Sequence, residues 1–176
     1  MKKILLAVVL LNGCFAFTQE KKEKHESLEV KSMTYGLGIY KDEHKAVNYG
    51  FANNLEFSTR YKSHLFSVNL GTDFGFANRS QNSDKFLHFV SELDLLYGRE
   101  FKISKYFHIE THAGAGYITQ SSVFEDGNHN ALGIPVEVKL VFAADNYWSY
   151  GLSPGANFNN VNSIYALRFF LQYNYD

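Results

Sequence analysis

Residues 165–175 read Tyr-Ala-Leu-Arg-Phe-Phe-Leu-Gln-Tyr-Asn-Tyr, and the order of these side chains decides the fold. Tyr165, Leu167, Phe169, Leu171, Tyr173 and Tyr175 fall on one side of an extended chain. Ala166, Arg168, Phe170, Gln172 and Asn174 fall on the other. Successive side chains of a β-strand point to opposite faces, so this stretch is a strand with one apolar face and one mixed, partly charged face.

The same period of two runs back through the chain to Met33. Leu132, Ile134, Val136, Val138, Leu140 and Phe142 oppose Gly133, Pro135, Glu137, Lys139, Val141 and Ala143. Met33 to Ile39, Leu55 to Lys62, Phe66 to Phe76, Phe107 to Tyr117 and Trp148 to Ala156 alternate similarly. The stretch 86–98 fits two periods: Leu87, Phe89, Leu93, Leu95 and Tyr97 suit a strand, whereas Phe86, Phe89, Val90, Leu93 and Leu96 suit a helical face. Its neighbours are strands and an even number closes a barrel, so it is read as a strand, which brings the count to eight. Heavy use of Phe (16) and Tyr (12) with only 2 Pro agrees with a β-rich chain. The fold expected is all-β, an eight-stranded antiparallel up-and-down transmembrane barrel over 32–176.

The links give an orientation. They run 41–54, 62–64, 78–85, 99–105, 119–131, 144–146 and 158–163. Longer polar links alternate with generally shorter ones, the pattern of outer-membrane barrels with long external loops and short periplasmic turns, although 99–105 is longer than ideal. With the N-terminus in the periplasm the expected long links fall outside. Pro135 and Pro154 are then expected towards the outer rim, where a lost ladder bond is best tolerated. Tyr61, Tyr97, Phe107, Trp148, Tyr150, Tyr173 and Tyr175 are expected to form an aromatic girdle at the periplasmic interface.

Ahead of the strands, Lys2 and Lys3 precede an apolar run from Ile4 to Leu11, and Cys14-Phe15-Ala16 follows. This is the pattern of a secretory signal peptide, 1–16, with cleavage after Ala16. The run is too short for a spanning helix, which takes about 20 residues. Cys14 is the single cysteine, so no internal disulfide forms. Residues 11–14, Leu-Asn-Gly-Cys, also resemble a lipobox with a poor fit at Asn12, so Cys14 is either discarded with the signal or lipidated. Residues 17–31, rich in Lys and Glu, are read as a charged periplasmic tail. Loss of Lys2 and Lys3 moves the formal net charge from −1 to −3, because no acidic group leaves with them. That balance carries no footprint for nucleic acid.

Over 33–175 the chain resembles the small outer-membrane β-barrel superfamily, which includes eight-stranded membrane-domain, adhesion and lipid-A-modifying barrels. The most specific part is 167–175, which resembles the terminal strand read by the barrel-assembly machinery, except that Asp176 follows the final aromatic. The resemblance implies outer-membrane lipid around the barrel, the assembly machinery as a partner, and the cell outer membrane as location.

Eight strands enclose a space that side chains fill, so no open pore is expected. The inward set is Glu56, Arg60, Asp73, Glu92, Asp94, His108, Glu110, His112, Glu137, Lys139 and Arg168. Such ions must be paired, which gives an interlocking salt-bridge core. A sharper possibility is that His108, Glu110 and His112, two apart on one strand face, converge with Glu92 and Asp94 to hold a metal or move protons. Because any polar inward face produces this spacing, no catalytic, cofactor or metal set is assigned and no cofactor is expected.

Lipid-A deacylase barrels use a His-x-Ser-Asn stretch, and the nearest approach here, His129-Asn130-Ala131, lacks the serine. No nucleophile arrangement stands out, so no enzyme activity is expected. Asn78-Arg79-Ser80 reads as a polar loop. The function expected is a structural or surface-interaction role, with specificity in external loops such as 43–54 and 120–130, where Tyr49, Phe51 and Phe124 are available to an extracellular ligand. The rivals are a soluble lipocalin-like binding barrel, with the apolar faces turned inward, and a lipid-A-modifying enzyme.

Overall fold

The computed structural model describes residues 27–43, 47–78, 85–122 and 129–175. The expected signal segment 1–16, the stretch 17–26 and Arg79, Ser80 and Phe124 lie outside them. Eight strands follow in chain order: β1 Glu29–Glu43, β2 Val47–Tyr61, β3 His64–Asn78, β4 Lys85–Ser104, β5 Phe107–Ser122, β6 His129–Phe142, β7 Trp148–Asn159 and β8 Ser163–Asn174. Each pairs antiparallel with the next, and β8 returns to β1, so the sheet is a closed up-and-down barrel. The seam extends past the last strand, where the Tyr175 amide donates to the Lys31 carbonyl at 2.8 Å.

The faces divide as the alternation requires. Tyr35, Leu37 and Ile39 of β1, Leu93, Leu95 and Tyr97 of β4 and Leu167, Phe169 and Leu171 of β8 are exposed on the outside. Thr34, Glu92, Asp94, Arg168 and Gln172, their neighbours on the same strands, are buried inside. β6 shows the division within one peptide unit, with Val138 38% exposed and Lys139 1%. The ambiguous segment is strand in β4: Phe89, Leu93, Leu95 and Tyr97 continue the outer apolar surface while Val90, Glu92, Asp94 and Leu96 fill the inside. Burial of ions beneath a continuous apolar exterior is the reverse of a water-soluble barrel and suits a barrel set in lipid. No helix of the described residues is long and apolar enough to cross a membrane, a fact that does not bear on strands.

Three element boundaries and the placement of the prolines are corrected by the structure. β1 starts at Glu29, so residues 29–31 belong to the barrel and not to the charged tail. The polar link 41–54 is mostly strand: β1 continues to Glu43 and β2 begins at Val47. Hydrogen-bond pairing persists where side chains become polar, so a polar link is longer than the loop within it. β4 likewise runs on to Ser104, which shortens the link 99–105 to a turn at Lys105 and Tyr106. Lys62 and Ala143, each with φ of 56°, take the left-handed conformation at the start of the other two turns on this side.

The fourth correction concerns proline. Pro135 and Pro154 sit near the middles of β6 and β7, not towards the outer rim. Each lacks an N–H, and each coincides with a break in one ladder. The β5–β6 pairing stops at Ala113↔Val136 and resumes at Gly116↔Gly133, across Pro135. The β6–β7 pairing stops at Glu137↔Gly155 and resumes at Leu140↔Leu152, across Pro154. On its other edge each proline stays in register, with Asn157 and Leu167 as respective partners.

Towards the end of the barrel away from the chain termini, the inside turns apolar. Tyr40, Ala52, Val90, Ile118 and Ile164 form a buried cluster with Ala166 packed against it. Gly50 and Gly75 make room for it, since a Cβ at Gly50 would run into the Tyr40 ring and one at Gly75 into the Tyr40 hydroxyl.

The inside–outside assignment has a direct mutational consequence. Val138→Arg places a cation on the apolar face near mid-strand, at a cost of about 2–4 kcal/mol in a bilayer. Folding yield into lipid vesicles should fall markedly, whereas Val138→Ile should fold as the parent does.

Candidate functional site

Two surfaces hold chemistry: the ionic interior and the ends of the barrel. Inside, the inward positions of successive strands bring the charges together in two groups. Near the chain termini Lys31 contacts Glu110 closely and lies 3.0 Å from Glu100. Arg60 reaches the other Glu100 oxygen at 3.5 Å. His108 Nδ1 meets Glu100 at 3.1 Å, its Nε2 lies 3.6 Å from Asp145, and His112 Nε2 is 3.3 Å from Glu110. Lys139 pairs with Glu56 at 2.6 Å and lies over the Phe170 ring, and Ser58 donates to Glu56 at 2.8 Å. Lys31, Arg60, Glu100, His108, Glu110 and Asp145 line a polar cavity of about 290 Å³ at the end that carries the termini.

Farther along the axis a second group gathers around Arg168, which lies 3.7 Å from Asp73. Asn54 donates to Asn69, and Asn69 donates to Asp94, each at 2.8 Å. Ser153 donates to Glu137.

The expected inward set is therefore inside; of it only Arg60 is part-exposed. The convergence of His108, Glu110 and His112 with Glu92 and Asp94, weighed as the sharper alternative to a salt-bridge core, does not occur. Register sets Lys102, Glu100 and Gly98 opposite the triplet, and sets Glu92 and Asp94 opposite Ile118 and Gly116, farther up the barrel. Glu100 is thus the carboxylate that meets the triplet. Among the described residues no three His, Cys, Asp or Glu side chains form a metal-ligand group.

Three buried ions were missing from the expected set. Asp42 and Glu100 continue the inward parity of β1 and β4, so carrying the alternation farther along each strand reveals them. Lys31 does not follow parity, because the register shifts between Val30 and Ser32 and this bulge turns Lys31 inward beside Ser32.

On the outside, the expected girdle is an aromatic band. Trp148 packs on Tyr173 at 5.1 Å, Tyr173 on Tyr175 at 5.1 Å, and Phe107 on Phe142 at 5.1 Å, with Tyr150 beyond it. Tyr97 joins Phe66 and hydrogen-bonds His64 at 2.6 Å. At the opposite end Tyr49 and Phe51 are exposed, but they stand on β2 and not in a loop, with Phe51 against Phe74 at 5.7 Å. His129 and Asn130 begin β6, exposed at the same end.

No family model matches the chain, and no curated protein matches it in sequence. Solved structures do match. The Neisserial surface protein A structure superposes with a TM-score of 0.70 at 10% identity, over 85% of this chain and 100% of that one. The fold is that of the small outer-membrane β-barrels. Ail, the attachment invasion locus protein of Yersinia pestis, gives a TM-score of 0.58 at 13% identity, over 84% of this chain and 99% of its own. A further Ail structure is a complex with the heparin analogue sucrose octasulfate. The N-terminal β-barrel domain of Pseudomonas aeruginosa OprF gives 0.51 at 10% identity, over 85% of this chain and 100% of its own. A small barrel of this fold needs its interior ions balanced, since nearly all of them are buried.

Lys139 is the clearest test of that balance. Lys139→Leu leaves Glu56 buried without its partner and should lower stability by about 3–5 kcal/mol. The double change Lys139→Leu with Glu56→Gln should recover much of the loss. Urea unfolding in lipid vesicles measures both, and a neutral Lys139→Leu contradicts the ionic pairing.

Proposed function

We propose that this chain is a cell outer-membrane barrel without an open channel, whose role is structural or lies in contact with molecules at the cell surface. One observation carries the reading: a continuous apolar exterior encloses a buried ionic interior, which is stable in lipid and not in water. The soluble lipocalin-like rival requires the opposite placement of Val138 and Lys139. An apolar ring of Tyr40, Val90, Ile118 and Ile164 across one end, together with paired ions below it, is why conduction is not part of the proposal.

The signal-peptide pattern of 1–16 and the terminal strand supply a route: export, then assembly by the barrel machinery, which reads the 167–175 stretch. Binding at the surface belongs to the end bearing the connections 44–46, 79–84, 123–128 and 160–162. Ail, a protein of this fold, has been captured with a polysulfated heparin analogue, which makes an extracellular ligand at that end the binding activity to test first. A lipid-A-modifying activity is not favoured, because the stretch His129-Asn130-Ala131 offers no serine.

Orientation and location are testable together. Asn130→Cys at the outer end should react with a membrane-impermeant maleimide on intact cells, while Lys105→Cys, in a turn at the end that carries the termini, should react only after lysis. The reverse pattern would invert the barrel. Reaction of both only in a soluble periplasmic fraction would favour the lipocalin-like reading. Reconstituted in planar bilayers, the protein should pass no steady current.

A further inference from the structure

Charge divides unevenly between the two faces of β2, β3 and β4. Their carboxylates, Glu56, Asp73, Glu92, Asp94 and Glu100, are all buried inside the barrel. The outward face carries cations instead, where it meets the turns at the end bearing the termini. Tyr61 stands opposite His64, and His64 opposite Arg99, so the three form one row across the strands. Directly paired residues share a face, and this one also holds Phe66 and Tyr97, which are exposed. Lys62, in the β2–β3 turn, lays its ammonium over the Tyr61 ring at 5.3 Å and joins the row on that side.

Among the described residues neither Lys62 nor Arg99 meets an acidic partner, and both lie within electrostatic reach of the His64 ring. The Tyr97 hydroxyl is 2.6 Å from His64 Nδ1. With that hydroxyl donating, the neutral imidazole carries its proton on Nε2 and offers it away from Tyr97. A guanidinium, an ammonium and an imidazole N–H therefore share one small area with no anion to receive them. Farther along the same two strands the outward pairs are apolar: Phe66↔Tyr97, Val68↔Leu95 and Leu70↔Leu93, all of them exposed. The climb from His64 to Leu70 is about 20 Å of strand, or about 15 Å of depth at the usual barrel tilt, half of a hydrocarbon core. Cations at the rim above an apolar ladder one leaflet deep are the complement of a lipid with an anionic head.

We propose that this face binds one net-anionic glycerophospholipid of the periplasmic leaflet, its phosphodiester held by Lys62, His64 and Arg99 and an acyl chain lying along Phe66, Val68 and Leu95. Charge sets the class of lipid. A phosphodiester with an uncharged head group, as in phosphatidylglycerol, brings a net negative charge to two cations. A zwitterionic one, as in phosphatidylethanolamine, adds an ammonium for which the outward face of these strands holds no carboxylate. Arg99 adds geometry, because a guanidinium takes two phosphate oxygens at once. Tyr61 and Tyr97 set the depth, since tyrosine rings settle at the head-group level. The leaflet rests on the orientation proposed above, whereas the head-group preference does not.

The experiment refolds the full barrel in a mild detergent, supplies phosphatidylglycerol and phosphatidylethanolamine in equal amounts, and weighs the intact complexes by native mass spectrometry. The gel-mobility difference between unheated and boiled protein reports folding. One phosphatidylglycerol should stay bound, in about fivefold or greater preference to phosphatidylethanolamine, since each basic side chain near an anionic head group contributes about that factor. Lys62→Gln with Arg99→Gln should weaken retention about tenfold or more and erase the preference. Lys102→Gln, on a side chain that lines the polar cavity instead, should change neither. Should the double variant fail to fold, Arg99→Lys serves, because it keeps the charge, loses the two-point contact and should weaken retention about threefold. Equal retention of the two lipids by the folded parent, a preference untouched by these variants, or displacement of the lipid by millimolar inorganic phosphate overturns the proposal. Selective retention by a barrel whose maleimide labelling on cells is inverted upholds the lipid site and refutes the orientation alone.

Discussion

Closure of the β1–β8 seam is the constraint on which the rest of this structure depends. Backbone N–H and C=O groups in a hydrocarbon slab have no water to turn to, so a sheet survives there only without an edge. Here every strand finds its partner on both sides, from Ser32↔Asn174 to Asp42↔Ile164 along the seam itself. Once the ladder is closed, strand alternation assigns one side-chain set to lipid and the other to a narrow lumen. The breaks opposite Pro135 and Pro154 are local exceptions, and each proline remains paired through its other edge.

Closure transfers the energetic problem from the backbone to the interior. Among the described residues eight buried carboxylates, from Asp42 to Glu137, share the lumen with Lys31, Lys139 and Arg168. Pairing handles the end near the termini, where Lys31, Arg60, His108 and Glu100 interlock. A large truncation of any one of these leaves the others uncompensated in a low-dielectric space. The group around Arg168 adjoins the apolar ring of Tyr40, Val90, Ile118 and Ile164, with Ile164 lining both. A barrel with these two layers has little free bore, which turns attention from the lumen to the ends.

The neighbours in fold space make the same point from another direction. Identities of 10–13% with near-complete coverage of the compared barrels mean that the architecture is retained while few side chains are. A scaffold that tolerates such replacement is specified by pattern, apolar outward and polar inward, and carries its individual character in connections and in interior pairings.

Fold class, strand number, the two faces of each strand and most of the interior ions were legible in the sequence, because a period of two needs only the identity of each residue and its neighbours. Leu167, Phe169 and Leu171 against Arg168, Phe170 and Gln172 is sufficient to predict which go out and which go in. Strand ends were less legible: Asp42, Glu100 and Tyr49 looked like loop because polarity rises where the barrel leaves lipid, although the hydrogen-bond ladder continues. Register was not legible at all. That Glu100, and not Glu92 or Asp94, meets the histidines follows from pairing Lys102 with His108. That Lys31 enters the core follows from a bulge at Val30–Ser32. Both depend on how one strand slides past another, a relation between residues distant in the chain, and only the closed tertiary structure fixes it.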